Sequence, residues 1–179
     1  MTPEELAAAF EAILFASNRP LKLRELQAAT GSERRDAEAG LAALDRVLSA
    51  GRGVMLQRLG DEIQVVTSPA QAAYVRRALR PDVTGRLSPA AYETLAIVAY
   101  QQPVTRARVE ELRGVGCETV LANLELRDLV AEVGRAPGPG QAKLYGTTMR
   151  FLQVLGLRSL DDLPVPEQLR EQLEPASSG

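Results

Sequence analysis

The segment from Leu87 to Gly116 constrains the fold of this chain more than any other part of its sequence. Ser88 and Pro89 are typical of a helix start, because serine caps free N–H groups and a proline at the first helical position loses no hydrogen bond. The helix that follows is apolar around most of its circumference, which predicts burial against several neighbours. Pro103 ends this helix, since the residue before a proline avoids the helical conformation. Thr105 then caps a second helix, so the segment predicts a helix–turn–helix core.

The composition excludes several classes of site. The 179 residues contain no histidine and one cysteine, Cys117. Histidine is the usual general base near neutral pH and the commonest metal ligand, so we expect no enzyme activity, no metal centre and no cofactor. A single cysteine cannot form an intramolecular disulfide, which is typical of a reducing cytoplasm. No apolar run approaches the ~20 residues that a membrane span needs, and we expect no membrane association.

The first half of the chain repeats the plan of the second. Aligning Pro20 with Pro103 pairs the apolar residues of 13–16 with those of 96–99. Each half continues with a third helix and then with two β-type segments around a glycine-containing turn, the usual signal of a hairpin. This pattern predicts an α+β fold, mostly α, built from tandem winged-helix (helix-turn-helix) domains.

The repeat also sets the expected limits of the domains. We predict domains at residues 1–82 and 87–164, and a flexible tail at 165–179. In the second domain, the inner faces of the second and third helices are predicted to carry Val109, Leu112, Val120, Leu121, Leu124 and Leu126. From Asp161 to Glu174 the chain has five acidic residues against one arginine. This acidic end either docks on a neighbour or repels DNA, and the sequence leaves both interpretations open.

Winged-helix domains commonly place their third helix in the major groove of DNA, so a tandem winged-helix transcriptional regulator is the alternative hypothesis for this chain. The charges of the third helices disfavour it. Residues 118–130 have three acidic residues against one arginine, and residues 32–48 have four against three. The candidates for a weak, sequence-independent phosphate contact are Arg76, Arg77 and Arg80. A solvated helix end, where arginines interact with the helix dipole, is the other interpretation of that cluster.

An ordered set of motifs gives a more specific indication. The segments LSPAAYETLAIVAYQQPVTRARVEELRGV, LRDLVAEVGR, LYGTT and FLQVLGLRSLDDLP follow one another and resemble the segregation and condensation protein B family. The resemblance implies a non-enzymatic accessory subunit of the bacterial SMC (structural maintenance of chromosomes) complex, which acts in chromosome condensation and segregation. It implies a cytoplasmic, nucleoid-associated protein. It also implies a homodimer formed mainly by the N-terminal domains, with kleisin binding by the C-terminal domain. The kleisin subunit is segregation and condensation protein A, which links to the SMC ATPase.

Two sets of residues are candidates for these protein contacts. The candidates for kleisin binding are Tyr100, Gln102, Thr105, Arg106 and Tyr145, since tyrosine and arginine are favoured at interfaces. The candidates for the dimer interface are Phe10, Leu14 and Phe15. Helix capping, for Thr105, and core packing, for the tyrosines and the dimer candidates, are the alternative roles.

Cys117 marks a departure from the family. Where the family commonly has the residues GVNS before the third helix, this chain has Gly116 and Cys117 in place of the capping Asn/Ser pair. We therefore expect this helix to start less firmly. Cys117 is either a reactive thiol at a helix N-terminus or a small, semi-buried replacement for serine.

Overall fold

The computed structural model describes residues 1–79, 86–138 and 140–164. Helices α1 to α8 span Pro3–Ala16, Leu23–Thr30, Arg34–Ser49, Ala72–Leu79, Pro89–Gln101, Arg106–Arg113, Glu118–Leu126 and Met149–Leu155. Strands β1 to β6 span Leu21–Lys22, Val54–Leu59, Glu62–Thr67, Val104–Thr105, Val130–Arg135 and Lys143–Thr147. Residues 80–85, where the boundary between domains is expected, and the tail at 165–179 lie outside the described residues. The domain limits therefore stay predictions.

The helix starts follow the capping signals of the sequence. Thr2 accepts from the Glu5 N–H and forms a capping box with the Glu5 carboxylate. Ser88 accepts from the Ala91 N–H at 3.2 Å, with Pro89 at the first helical position. The Thr2 and Ser88 side chains thus accept hydrogen bonds from N–H groups that have no partner inside the helix.

The same order of elements occurs twice: a helix, a two-residue strand, two helices, a hairpin and a final helix. The antiparallel sheets have the orders β1-β3-β2 and β4-β6-β5. In each, the second strand of the hairpin is central and pairs with the two-residue strand that follows the first helix. This arrangement agrees with the α+β winged-helix fold that the sequence predicts.

Each half has a hydrophobic core of its own within the described residues. The first core includes Leu6, Phe10, Leu44 and Ile63, whose side chains are almost completely buried. Helices α1 and α3 approach closely at Gly40, where a Cβ atom would lie 2.7 Å from the Leu6 Cβ. This contact explains a glycine inside α3 despite the backbone entropy that it costs.

The second core joins α5, α6, α7 and α8. It includes Val98, Val109, Leu121, Leu124 and Phe151, all at most 2% exposed. The prediction that Val109, Leu121 and Leu124 face this core is therefore confirmed. Val120 is partly buried against the same core.

Two leucines predicted to face this core are exposed. Leu112 is 44% exposed and Leu126 is 86% exposed. Helix α6 has eight residues and buries only Val109, so Leu112, one turn later, falls at the edge of the contact. Leu126 is the last residue of α7 and lies beyond the turn that packs on the core.

The two halves contact each other between β2 and the segment that follows α8. The Arg58 N–H donates to the Arg158 carbonyl at 2.8 Å. The side-chain amide of Gln57 donates to the Leu157 carbonyl at 2.5 Å, and its oxygen accepts from the Gln64 amide at 2.9 Å. Gln57 is 0% exposed, so both of its polar atoms have partners in a buried position.

An ion pair reinforces this contact. The Arg158 guanidinium pairs with the Asp45 carboxylate of α3, and the Arg158 N–H donates to Asp162 at 2.8 Å. Both side chains of the ion pair remain partly exposed, so solvent weakens their attraction. We therefore expect the loss of the buried Gln57 hydrogen bonds to destabilise the contact more than the loss of the Arg158–Asp45 ion pair.

We expect Gln57→Leu to lower the free energy of unfolding by about 1–3 kcal/mol, because the Gln64 amide and the Leu157 carbonyl lose a buried partner. Urea denaturation followed by circular dichroism measures the change. Gln101→Leu, at the exposed end of α5, is the matched control and is expected to change stability by no more than ~0.5 kcal/mol. Equal effects of the two substitutions would contradict this account of the contact.

Candidate functional site

The Gln102 side chain is turned into the second domain instead of toward solvent. Its Nε2 donates to the Ala99 carbonyl at 3.0 Å, and its Oε1 accepts from the Thr147 N–H at 2.8 Å. Gly146 makes room for it, since a Cβ atom there would lie 3.0 Å from Gln102 Oε1. Gln102 thus joins the turn after α5 to β6. Its amide is therefore bonded within its own domain, and its role in kleisin binding stays a prediction.

Three more of the predicted kleisin-binding residues have roles inside the domain. Tyr145 is 7% exposed, and burial raises the pKa of its phenol, which corrects its assignment as an interface anchor. The Tyr100 hydroxyl donates to the Pro164 carbonyl at 2.5 Å. Thr105 accepts from the Arg108 N–H at 3.2 Å, which confirms its role as an N-cap.

Arg106 is the exposed member of this set of five. Its guanidinium lies 2.8 Å from a carboxylate oxygen of Glu118 and 3.9 Å from one of Glu110. The Arg106 side chain is accessible to a partner, but two carboxylates of its own domain already offset its positive charge. The turn between α5 and α6 therefore offers little free binding capacity.

Cys117 is a buried thiol, not an exposed nucleophile. The residue is 1% exposed, and its burial, followed by the negative charge of Glu110, raises the pKa of the thiol. Its side chain does not cap α7, but its N–H donates to Glu110 Oε1 at 3.0 Å and anchors the start of the helix to α6. This geometry favours the interpretation as a replacement for serine.

The third helices pair their acidic side chains with arginines from other elements. Glu38 of α3 lies 2.6 Å from Arg58 in β2, and Glu118 of α7 lies 2.8 Å from Arg106. Arg58 and Arg106 thus each lie beside a carboxylate of a third helix. Within the described ranges, no three His, Cys, Asp or Glu side chains are grouped as they would be around a metal ion.

The predicted phosphate contact lies only partly within the described residues. Arg76 and Arg77 are exposed on α4, whereas Arg80 lies outside the described ranges. The Arg77 guanidinium stands 5.0 Å from the centroid of the Tyr74 ring. The arginines are accessible, and their contact with DNA stays a prediction.

The predicted dimer residues separate into core and surface. Phe10 and Leu14 are 0% and 4% exposed, so the core of one chain already uses them, and this corrects their assignment to an interface. Phe15 is 85% exposed. Its spacing from Ala8 and Glu11 places all three on one face of α1, and the exposed Val47 of α3 lines a surface depression together with Ala8 and Glu11. We call this surface, with Ala8, Glu11, Phe15, Arg46 and Val47, the α1–α3 face.

A second apolar surface lies beside the first half of α5, and the sequence analysis missed it. Its floor is formed by the buried Leu95, Leu129 and Phe151, and its walls by Tyr92, Val154 and Leu155. Arg86, Arg127 and Arg150 lie at its rim. We call it the arginine-rimmed groove. Its one signal in the sequence is the excess of apolar residues on α5, where Tyr92 remains exposed although burial on several sides was expected.

The sequence of this chain matches the family model described as segregation and condensation complex subunit ScpB over residues 8–166. The chain belongs to the ScpB family. This confirms the resemblance drawn from the ordered motifs, and the family is named as a subunit of a complex, not as an enzyme.

Relatives of this family match almost the whole chain. Segregation and condensation protein B of Syntrophotalea carbinolica is 43% identical over 179 residues, covering 99% of this chain and 90% of the relative. The protein of the same name from Moorella thermoacetica is 40% identical and covers 96% of this chain and 88% of the relative.

Solved structures of the family are also similar in sequence. ScpB from Mycobacterium tuberculosis is 35% identical, with a TM-score of 0.42, and the match covers 88% of this chain and 98% of that one. The dimer of an ScpB N-terminal domain complexed with an ScpA peptide is 26% identical, with a TM-score of 0.40, over 42% of this chain and 96% of that one. No described helix of the present chain has the length and hydrophobicity to cross a membrane.

We expect the native protein to react with a thiol reagent such as DTNB at least ~100-fold more slowly than the chain unfolded in guanidinium chloride, because Cys117 must be exposed by opening before its thiolate can attack. Stopped-flow absorbance measures the rates. A Cys117→Ala chain that carries Ala107→Cys, at an exposed position of α6, is the control and should react at similar rates in both states. Fast labelling of Cys117 in the native protein would contradict this prediction and favour the interpretation of Cys117 as a reactive thiol.

Proposed function

We propose that this chain is a non-enzymatic subunit of the bacterial SMC complex, which forms a homodimer and binds the kleisin subunit, segregation and condensation protein A. The observation that carries the proposal is the family match over residues 8–166, which spans both predicted domains. Through the kleisin the chain supports chromosome condensation and segregation, and it acts in the cytoplasm at the nucleoid.

The charges of the third helices support protein recognition over a DNA-binding regulator. Recognition helices that enter the major groove need exposed basic and polar side chains toward the phosphates. Here Glu38 and Glu118 place negative charge on α3 and α7, and each offsets the charge of a neighbouring arginine. Any contact made by Arg76 and Arg77 would be weak and non-specific.

The α1–α3 face supports a dimer through the first domain. Phe15 and Val47 are exposed apolar side chains on this face, and the small Ala8, which lines the same depression as Val47, lets another helix approach closely. Glu11 and Arg46 lie at this face with opposite charges. In a two-fold contact the same patch meets itself, so Glu11 of one copy can approach Arg46 of its partner.

Size-exclusion chromatography with light scattering tests both parts of the proposal. The chain alone should elute at about twice its mass of 19.3 kDa, and the central region of the kleisin should co-elute with it at high salt. A chain that stays monomeric and does not bind the kleisin fragment would contradict the proposal. Loss of retention on DNA with rising salt, without kleisin binding, would favour the regulator.

We expect Phe15→Glu and Val47→Glu to shift the dimer toward monomer by at least ~10-fold in dissociation constant, because each places a charge in an apolar contact. Leu126→Glu is the matched control, since Leu126 is 86% exposed against 85% for Phe15 but lies in the second domain. Analytical ultracentrifugation over a concentration series measures the shift. Unchanged dimers in both α1–α3 variants would place the dimer contact elsewhere.

A further inference from the structure

We propose that the arginine-rimmed groove is the docking site of an acidic, amphipathic helix of the kleisin. The inference rests on the proposed function and assigns kleisin binding to a surface other than the turn between α5 and α6. It names both the place on the second domain and the chemistry of the segment that fits there.

The walls of the groove carry exposed apolar side chains around a concave floor. Tyr92, Val154 and Leu155 are 54%, 55% and 47% exposed, while Leu95 and Phe151 below them are buried in the core. Exposed apolar residues are ordinary when scattered, but a concave group of them marks a binding surface. Tyr92 adds a rigid aromatic side chain of the kind that anchors interfaces. The centre of the groove therefore fits apolar side chains of a partner.

The backbone around the groove favours a helix as the partner. Much of the lining lies on α5 and α8, whose backbone groups are already bonded within these helices. An extended peptide that adds a strand to a sheet needs an open strand edge, which these helices do not present. A helix instead binds through side chains spaced three and four residues apart, and one row of such side chains fits into a groove between two helices.

The rim favours acidic residues on that helix. Three arginines and no acidic residue line the groove. Among the residues that the structure describes, neither Arg86 nor Arg150 has a carboxylate within ion-pair distance. Arg106 and Arg113 of the same domain, by contrast, pair with Glu118 and Glu93. Guanidinium groups bind carboxylates through paired hydrogen bonds, so an acidic segment supplies the carboxylates that Arg86 and Arg150 lack among the described residues.

Two other interpretations account for less of the groove. DNA would use the arginines at the rim but leave the apolar walls exposed, since phosphates and sugars offer those side chains little. The turn between α5 and α6 binds its own residues, through Gln102 with Thr147 and through Tyr100 with Pro164. The groove combines free apolar surface with Arg86 and Arg150, whose charges no carboxylate of the described residues balances at ion-pair distance.

The test measures binding of the full chain to the central region of the kleisin from the same organism, by isothermal titration calorimetry at several salt concentrations. We expect Val154→Asp to weaken binding at least ~10-fold, because it places a charge on the apolar wall. Arg150→Glu should weaken it by roughly 3- to 10-fold at low salt and make binding less sensitive to salt.

Matched controls separate the groove from a general effect on the domain. Val133→Asp changes the same residue type at the same 55% exposure on β5, away from the groove. Arg108→Glu reverses an exposed arginine on α6, which pairs with Glu111. Neither control should change affinity by more than ~2-fold. Thermal unfolding by circular dichroism checks that all four variants fold.

The outcomes distinguish the inference from the proposed function. If the wild-type chain does not bind the kleisin, the proposed function fails. If the wild-type chain binds and the groove variants bind as tightly as the controls, the groove assignment is wrong while the proposed function stands. The assignment is also overturned if the groove variants change only the mass of the dimer, which would indicate a contact between copies, or only retention on DNA.

Discussion

Each half of the molecule depends on the pairing of a two-residue strand with the central strand of a hairpin. A two-stranded hairpin is marginally stable in water, and a third strand with packing against helices makes it persistent. Here Val104 pairs with Tyr145 and Leu21 with Ile63, which ties the turn between the first two helices to the wing. In the second half Gln102 extends the same connection through its side chain. The link holds the turn after the first helix of each half against the wing.

Local signals in the sequence were sufficient for the fold because they act within a few residues. Caps at Thr2, Ser88 and Thr105 and the apolar spacing of each helix predicted the elements, and the repeat around Pro20 and Pro103 predicted the two-fold plan. Leu112 and Leu126 were misassigned because periodicity alone does not report where a short helix stops touching the core. That depends on the length of the neighbouring elements.

The candidate surfaces were harder to predict because polarity in a sequence does not say whether a group is already bonded. Gln102 and Tyr145 have side chains that are common at interfaces, yet the domain itself uses both. Arg106 and Arg150 have identical chemistry, but among the residues that the structure describes only Arg106 lies within ion-pair distance of carboxylates. The arginine-rimmed groove joins α5, the end of α7 and α8, so no local pattern contains it.

The contact between the two halves has a consequence for how such a protein can change over generations. The Gln57 side chain donates to the main-chain carbonyl of Leu157, whereas the main-chain N–H of Arg58 donates to the main-chain carbonyl of Arg158. Any amino acid supplies a carbonyl, and any except proline supplies an N–H, so the bond between residues 58 and 158 survives substitution, whereas the bond to Leu157 needs the Gln57 side chain. Searches for contacts by correlated substitution would therefore detect little signal from these two hydrogen bonds, in contrast to the ion pair of Arg158 with Asp45 at the same junction.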